Sequence, residues 1–287
     1  MKLVFKNIAT LLCASSLMMP VFTQAHERFM LPSHTQLSGD KAQSVSIISS
    51  ISNDIFHPDR PFGDSDTGAD VGDLKTLFDM LEHRVISPDL TLTTDTRWQA
   101  FSRLSVADIK LTKSGTYRVS LVQPDVHMTT FKKDDGTHSR RFGKHPSLPD
   151  NVTDVVRRTT MSRVETFVTL NEPSNAAVKP TGVGVELSGD THPNDLFVGE
   201  AAQFKLLFNG KTLKTPAKVK VIKGGTRHRN ERNELNIDVA NDGSFSFTPQ
   251  SAGFYFLAAS TMENIEQPAE MDVKHYSLYL TLEVFPQ

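Results

Sequence analysis

Cysteine is almost absent from this 287-residue chain: the single one, Cys13, lies in a leading segment expected to be removed. A mature chain without thiols has no disulfide, no thiolate metal site and no cysteine nucleophile. Small exported domains lean on disulfides, whereas a chain of this length can rely on a buried core. Long apolar runs are missing too. Beyond the leader no stretch approaches the roughly 20 apolar residues that a membrane-spanning helix needs. A strong charge of one sign is likewise lacking. Without Lys2 and Lys6 the chain carries 29 basic and 33 acidic residues, a formal charge of −4, which gives no footing for nucleic acid.

Enzyme signatures are also missing. There is no Gly-x-Ser-x-Gly elbow, no His-Glu-x-x-His and no phosphate-cradling glycine loop. His26-Glu27-Arg28-Phe29-Met30 begins like the zincin motif but lacks its second histidine. The acidic run Asp64 to Asp73 fails as a calcium loop, because Gly68 and Ala69 displace the expected ligand and glycine, and Lys75 replaces the closing glutamate. No catalytic residue is assigned.

What is present begins with a three-part export signal. Lys2 and Lys6 form its positive end, Ile8 to Met19 its short apolar stretch, and Thr23-Gln24-Ala25 its cleavage site. Cleavage after Ala25 predicts a periplasmic protein that starts at His26. Lipidation at Cys13 is excluded, since the residue sits inside the apolar stretch and Leu12 precedes it where a small residue is required.

Strand signals dominate the remaining 262 residues. Short β-branched and alternating runs cover Ser44 to Ser52, Leu90 to Thr94, Tyr117 to Val122, Glu165 to Leu170, Val183 to Leu187 and Ala202 to Phe208. They continue through Ala217 to Ile222, Leu235 to Val239, Ser244 to Thr248, Phe254 to Ala259 and Tyr276 to Phe285. Turn residues punctuate them, with Asn209-Gly210 and Asp242-Gly243 marking hairpins. This pattern predicts a mainly β chain of two immunoglobulin-like or transthyretin-like antiparallel β-sandwich domains. The first spans residues 26–175 and carries long loops and a short helix; the second spans 181–287. A linker-like run from Pro173 to Pro180 separates them. Helical spacing is confined to Asp73 to Arg84 and, more weakly, Asp150 to Arg158. Asn53 to Gly72 and His127 to Pro149 are expected to be irregular. Gly115-Thr116-Tyr117 and Gly253-Phe254-Tyr255 echo each other, and a tyrosine at such a corner can tie its hydroxyl to nearby backbone.

His26 is the sharpest chemical feature. Once processed, its α-amino group and Nδ1 can chelate one ion, and the amine loses its proton easily near neutrality. One further imidazole gives three nitrogens around a tetragonal ion, which suits Cu(II) or Ni(II). His57, just past a strand end, ranks first as that partner, followed by His34 and His127; His275 precedes the last strand. Two basic segments, Phe131 to His145 and Thr226 to Arg232, are expected to be solvated loops.

Ala25-His26-Glu27-Arg28-Phe29-Met30-Leu31-Pro32 resembles the mature start of an exported bacterial family associated with nickel and cobalt uptake, the NikM-like periplasmic transport components. The order of Val183-Gly184-Val185-Glu186-Leu187, His192-Pro193, Val198-Gly199-Glu200, Asn209-Gly210-Lys211-Thr212-Leu213, Asn241-Asp242-Gly243 and Gly253-Phe254-Tyr255 is similar as well. The resemblance implies a non-catalytic periplasmic accessory protein that handles a divalent metal (nickel, cobalt or copper) for an envelope transporter, with His26 as the ligand it carries over. Two other readings stay open: a structural or partner-binding module without metal, and a copper enzyme built on an amino-terminal histidine.

Overall fold

A computed structural model of the chain describes residues 27–63, 78–213, 217–267 and 270–287. His26, the acidic run Asp64 to Asp73 and the first part of the expected helix lie outside the described residues. The first half forms β1 (Glu27–Pro32), β2 (Gln36–Leu37), β3 (Gln43–Ser52), β4 (Arg60–Pro61), β5 (Glu82–Ile86) and β6 (Leu92–Thr93). It continues with β7 (Gln99–Ala100), β8 (Ser105–Leu111), β9 (Gly115–Lys132), β10 (His138–Phe142) and β11 (Thr153–Leu170). The second half adds β12 (Val185–Ser188), β13 (Leu196–Phe197), β14 (Ala202–Phe208), β15 (Lys211–Thr212) and β16 (Lys218–Lys223). It ends with β17 (Leu235–Asp238), β18 (Ser244–Phe247), β19 (Gly253–Gln267) and β20 (Glu270–Phe285).

The chain is mainly β, with its strands in three sheets that stack as sandwiches. A front sheet has the order β1-β3-β8-β7, and a back sheet β12-β14-β15. Between them runs one central sheet, β17-β16-β19-β20-β11-β9-β5-β6. Side chains alternate across a strand, so this sheet serves both sandwiches. Val164, Val168 and Leu170 of β11 and Val119 and Leu121 of β9 enter a core with front-sheet residues Val45, Ile47 and Ile109. On the opposite face, Leu278, Leu280 and Leu282 of β20 pack with Phe204, Leu206 and Phe245 of the back sheet. A third cluster joins Phe29 and Ile55 to Ile222 and Phe256.

The seam within the central sheet is parallel: β11 pairs with β20 from Val155↔Glu270 to Thr166↔Thr281. A purely antiparallel sheet was expected. The last long strand of each half lies side by side with the other, and strands so far apart in sequence need no hairpin between them.

Both helical expectations need correcting where they can be checked. A helical turn remains at Phe78 and Asp79, but Glu82 to Ile86 forms β5 against β9. Asp150 to Arg158 is no helix either: from Thr153 onward it is the start of β11. Val155, Val156, Thr159 and Thr160 are β-branched, and pairing with β9 on one side and β20 on the other outweighs a weak helical period. The expected irregular stretch from His127 is largely a hairpin, with β10 returning along β9 in the register Phe142↔Met128 to His138↔Lys132.

The turn chemistry follows the sequence closely. Asn209 and Gly210 both have positive φ, 50° and 72°, as the two-residue turn from β14 to β15 requires. The two tyrosine corners are present. The Tyr117 hydroxyl donates to the Lys113 carbonyl at 3.0 Å, and the Tyr255 hydroxyl to the Ser251 carbonyl at 2.8 Å, each four residues upstream.

A buried charge network fastens the connection between β11 and β12 to the back face of the central sheet. Arg118, Arg163, Glu165 and Glu186 are all buried. Glu186 accepts the backbone N–H groups of Thr181 (2.7 Å), Gly182 (2.7 Å) and Val183 (3.2 Å), and Nη1 of Arg163 at 3.2 Å. Arg163 also donates to Glu165 at 2.7 Å, and Arg118 donates to the carbonyls of Val178 (2.6 Å) and Lys179 (3.0 Å) while lying over Phe167. Burial alone would raise the Glu165 carboxyl, but the charges of Arg163 and Arg118 with the Ser120 hydroxyl hold it below its ordinary value. A depressed carboxylate stabilises the fold above its unfolded pKa and loses that contribution as pH falls through the folded one. Folding stability should therefore drop as pH falls below about 4.5. Urea titrations at a series of pH values should show a shallower drop for Glu165→Gln than for the wild type; parallel curves would contradict this assignment.

Candidate functional site

The start of β1 carries a built polar site next to the sharpest chemical feature of the sequence. β1 pairs with β3 from Glu27↔Ser52 to Pro32↔Ile47 and lies across the front face of the central sheet. Thr281 of β20 donates its hydroxyl to the Met30 carbonyl. Alternate side chains then diverge. Phe29 enters the third cluster, while Arg28 turns toward β11, donating to the Ser162 hydroxyl and covering the Phe62 ring at 5.2 Å.

Glu27 is only 6% exposed. Lys220 of β16 donates to its Oε1 at 2.7 Å and Arg232 to its Oε2 at 2.8 Å. Arg232 comes from the β16–β17 connection, one of the two basic segments. That segment is a built structure: Thr226–His228 form a 3₁₀ turn, and Arg229 donates to the carbonyls of Lys223, Gly224 and Arg232. The first described residue of the chain is thus a carboxylate held between two cations from the second half.

Arg28 is half-buried. Burial pulls its guanidinium pKa down and Tyr279 opposes that, yet an arginine stays charged at any working pH. Its charge reaches His275 on β20, which burial and Arg28 together push below the ordinary imidazole value. His275 is therefore neutral at pH 7 and able to donate a lone pair. It shares a cavity of about 550 Å³ with Met262, Ser260, Thr261, Lys218 and Asp238.

The candidate histidines are not gathered in one place. His57 sits in the turn that follows β3, where its N–H donates to the Asp54 carbonyl. Its Nε2 is buried, 3.9 Å from Oδ2 of Asp54. Phe56 beside it packs edge-on against Phe29 at 5.4 Å and also against Phe254. His34 is exposed at the far end of β1, and the strand's six residues alone span roughly 17 Å. His127 pairs with Thr159, its Nδ1 2.9 Å from the Thr159 hydroxyl. It shares a groove of about 260 Å³ with Tyr276, Lys144 and Arg157. Tyr276 packs on Phe208 of β14, so this groove opens on the back face, opposite β1. Among the described residues no group of three or more histidine, cysteine, aspartate or glutamate side chains is disposed to hold a metal.

Sequence reasoning passed over Glu27, Lys220 and Arg232, and left Met262 unpaired with His275. Their neighbourhood depends on strand register across 193 and 205 residues of chain, which no local spacing reveals. His192, part of the resemblance, is a fold residue: its Nδ1 accepts the Asn194 N–H at 3.1 Å, and its Nε2 lies 3.2 Å from the Ser174 carbonyl.

Among solved structures, trypsin-activated α2-macroglobulin from Escherichia coli is 9% identical, covering 90% of this chain and 16% of that one with a TM-score of 0.25. The chain therefore spans about a sixth of that protein's length. A DUF3823 family protein from Bacteroides uniformis is 13% identical over 80% of this chain and 100% of its own, with a TM-score of 0.22. The two tandem V-type regions of VCBP3, a v-region-containing chitin binding protein, are 11% identical over 88% and 98%, with a TM-score of 0.19. No curated protein matches. A family model for a domain of unknown function, DUF4198, matches residues 23–263, and the chain belongs to that family.

Proposed function

We propose that this protein is exported to the periplasm, cleaved after Ala25, and binds a late first-row divalent ion (nickel, cobalt or copper) at the amino terminus so created. It acts there without catalysis, supplying the ion to an envelope transporter. The observation that carries this reading is the Glu27 clamp. A chelating amine needs a held chain end, and the residue directly after His26 is a buried carboxylate fixed by Lys220 and Arg232. The α-amino group and Nδ1 of His26 supply two nitrogens, and an imidazole from the fold supplies the third. In competition such a donor set takes Cu(II) ahead of Ni(II).

The test compares chain processed at His26 with the same chain acetylated on the His26 amine. Acetylation removes that nitrogen's lone pair from the chelate ring and adds no new amine. Affinity for Cu(II) and Ni(II), read by calorimetry, should fall about a hundredfold or more, since loss of a ligand costs at least what loss of a ligand's support costs. Equal affinity in both forms would overturn the reading. A second reading, a partner-binding module without metal, is favoured by the scatter of the candidate histidines, with His34 at the far end of β1, His57 in the turn after β3 and His127 on the back-face groove. It expects no measurable affinity in either form.

A further inference from the structure

β9, β11, β19 and β20 run on past the sandwich cores, and β10 adds a fifth strand to their far ends. Strand pairing sets which side chains share the front face there. Val164 of β11 belongs to the front core, and two-residue steps carry its face through Ser162, Thr160, Arg158 and Val156. On β9 the register shift beside Ser162 adds one residue, so the front face passes from Val119 and Leu121 to Val126, Met128 and Thr130. Three rows then cross the sheet. Val126, Thr160, His275 and Met262 form the first, Phe142, Met128, Arg158 and Val273 the second, and Arg140, Thr130 and Val156 the third.

These rows hold apolar side chains in a basic frame. Phe142 is 64% exposed and Met262 53%. Val126, Met128 and Val156 are half-buried. Arg140 lies over the Phe142 ring at 5.7 Å, and Arg158 donates to the Thr130 hydroxyl at 2.8 Å. Lys132 follows on β9, opposite His138. No acid stands among the described side chains of the three rows. The whole chain has a formal charge of −2, so this positive face is a local feature. It includes the basic segment Phe131 to His145, which forms a hairpin rather than a loose loop.

An exposed apolar strip rimmed by charge marks a contact surface. A second copy of the chain is a poor occupant, because pairing the same face twice sets one group of arginines against another. A bilayer with anionic lipid matches both parts of the pattern. Each lysine or arginine near such a surface strengthens binding about fivefold. An aromatic ring settles at the headgroup boundary, and the cations beside it stay in water. Neighbouring rows of a sheet also lie at similar depth, as contact with a planar surface requires.

We propose that this face, led by Phe142 and Arg140, docks the protein onto a membrane surface that contains anionic phospholipid. Phe142 enters the boundary between headgroups and acyl chains, while Arg140, Arg158 and Lys132 stay with the phosphates. The contact is peripheral and uses no residue of the proposed metal site.

The experiment mixes the chain starting at His26 with vesicles of phosphatidylcholine alone, or of phosphatidylcholine and phosphatidylglycerol in equal parts. Each variant is checked for folding by circular dichroism. The protein should sediment with the anionic vesicles, stay free of the neutral ones, and release as salt shortens the screening length. Arg140→Gln should weaken binding about fivefold, and Phe142→Ser about tenfold or more. Phe101→Ser removes an aromatic that is 47% exposed elsewhere on the chain, and it should match the wild type. Trp98 is 1% exposed, so the added indole in Phe142→Trp reports the contact. Its emission should shift to the blue with anionic vesicles and be quenched by brominated acyl chains. A protein that ignores anionic vesicles, or a Phe142→Trp emission that does not respond to them, would overturn the proposal. Binding to soluble polyglutamate as tight as to vesicles, and indifferent to Phe142→Ser, would identify an acidic protein segment as the occupant and overturn it too. So would self-association in sedimentation velocity that Phe142→Ser abolishes.

Discussion

Replacing Glu186 with alanine is expected to remove about 3–5 kcal/mol of folding stability, the usual cost of breaking one partner out of a buried ion pair. The carboxylate is 1% exposed. It satisfies three consecutive backbone N–H groups, those of Thr181, Gly182 and Val183, together with the Thr181 hydroxyl at 2.7 Å. It also faces Arg163 at 3.2 Å and Arg118 at 3.6 Å. Alanine leaves two buried guanidiniums with Glu165 as their remaining carboxylate, and three amides with no acceptor. Glutamine keeps an acceptor oxygen but loses the charge, so Glu186→Gln should fall between alanine and wild type. Trp98, the only tryptophan and 1% exposed, reports on the front core, so urea unfolding can be followed by its fluorescence and by circular dichroism together. A loss below about 1 kcal/mol for Glu186→Ala would mean that the network contributes little net stability.

The Glu186 case also marks where the sequence is legible. The motif Val183 to Leu187 reads as a strand from its alternation, and β12 forms there. Nothing local says that its glutamate points into the protein toward two arginines of other strands. The same division holds across the chain. Strands bounded by turn residues, such as β14 at Ala202–Phe208 and β18 at Ser244–Phe247, are visible because alternation and turn chemistry are local properties. Both tyrosine corners are visible because the hydroxyl reaches backbone only four residues away. The lengths of β9 and β11, 18 residues each, are not visible. Their outer parts carry polar residues such as His127, Thr129, Arg157 and Thr159, and only lateral pairing makes them strands. The sharing of one central sheet by two sandwiches is hidden for the same reason: the parallel β11–β20 seam is a long-range register. At the candidate site, His26 stands out from chemistry alone, since the proposed cleavage would create its amine. The clamp on Glu27 and the Met262–His275 row exist only once β16, β19 and β20 are aligned.

Phe29→Ala is expected to cost about 3–5 kcal/mol as well, the range for a large aromatic truncated in a packed core. Phe29 is fully buried, and its neighbours come from both halves of the chain: Ile55 beside β3, Ile222 on β16 and Phe256 on β19. A cavity there separates the edge of the front sheet from the central sheet, and neither side can collapse alone because each is held by its own ladder. The edge contact with Phe56 at 5.4 Å is lost too, and with it the packing of the His57 turn. Leucine refills much of the volume, so Phe29→Leu should lose clearly less than alanine. Because this cluster joins the two halves, Trp98 fluorescence and circular dichroism should shift by the same amount in one transition; separate transitions, or a loss below about 1 kcal/mol, would refute the joining role. The metal readout should move with it, although Phe29 offers no donor atom. Glu27 is two residues away, and its position between Lys220 and Arg232 depends on β1 staying seated. On the proposed amino-terminal site, metal affinity should therefore fall in Phe29→Ala and recover in Phe29→Leu. The seating of β1 and the proposed amino-terminal metal site then depend on the same aromatic side chain.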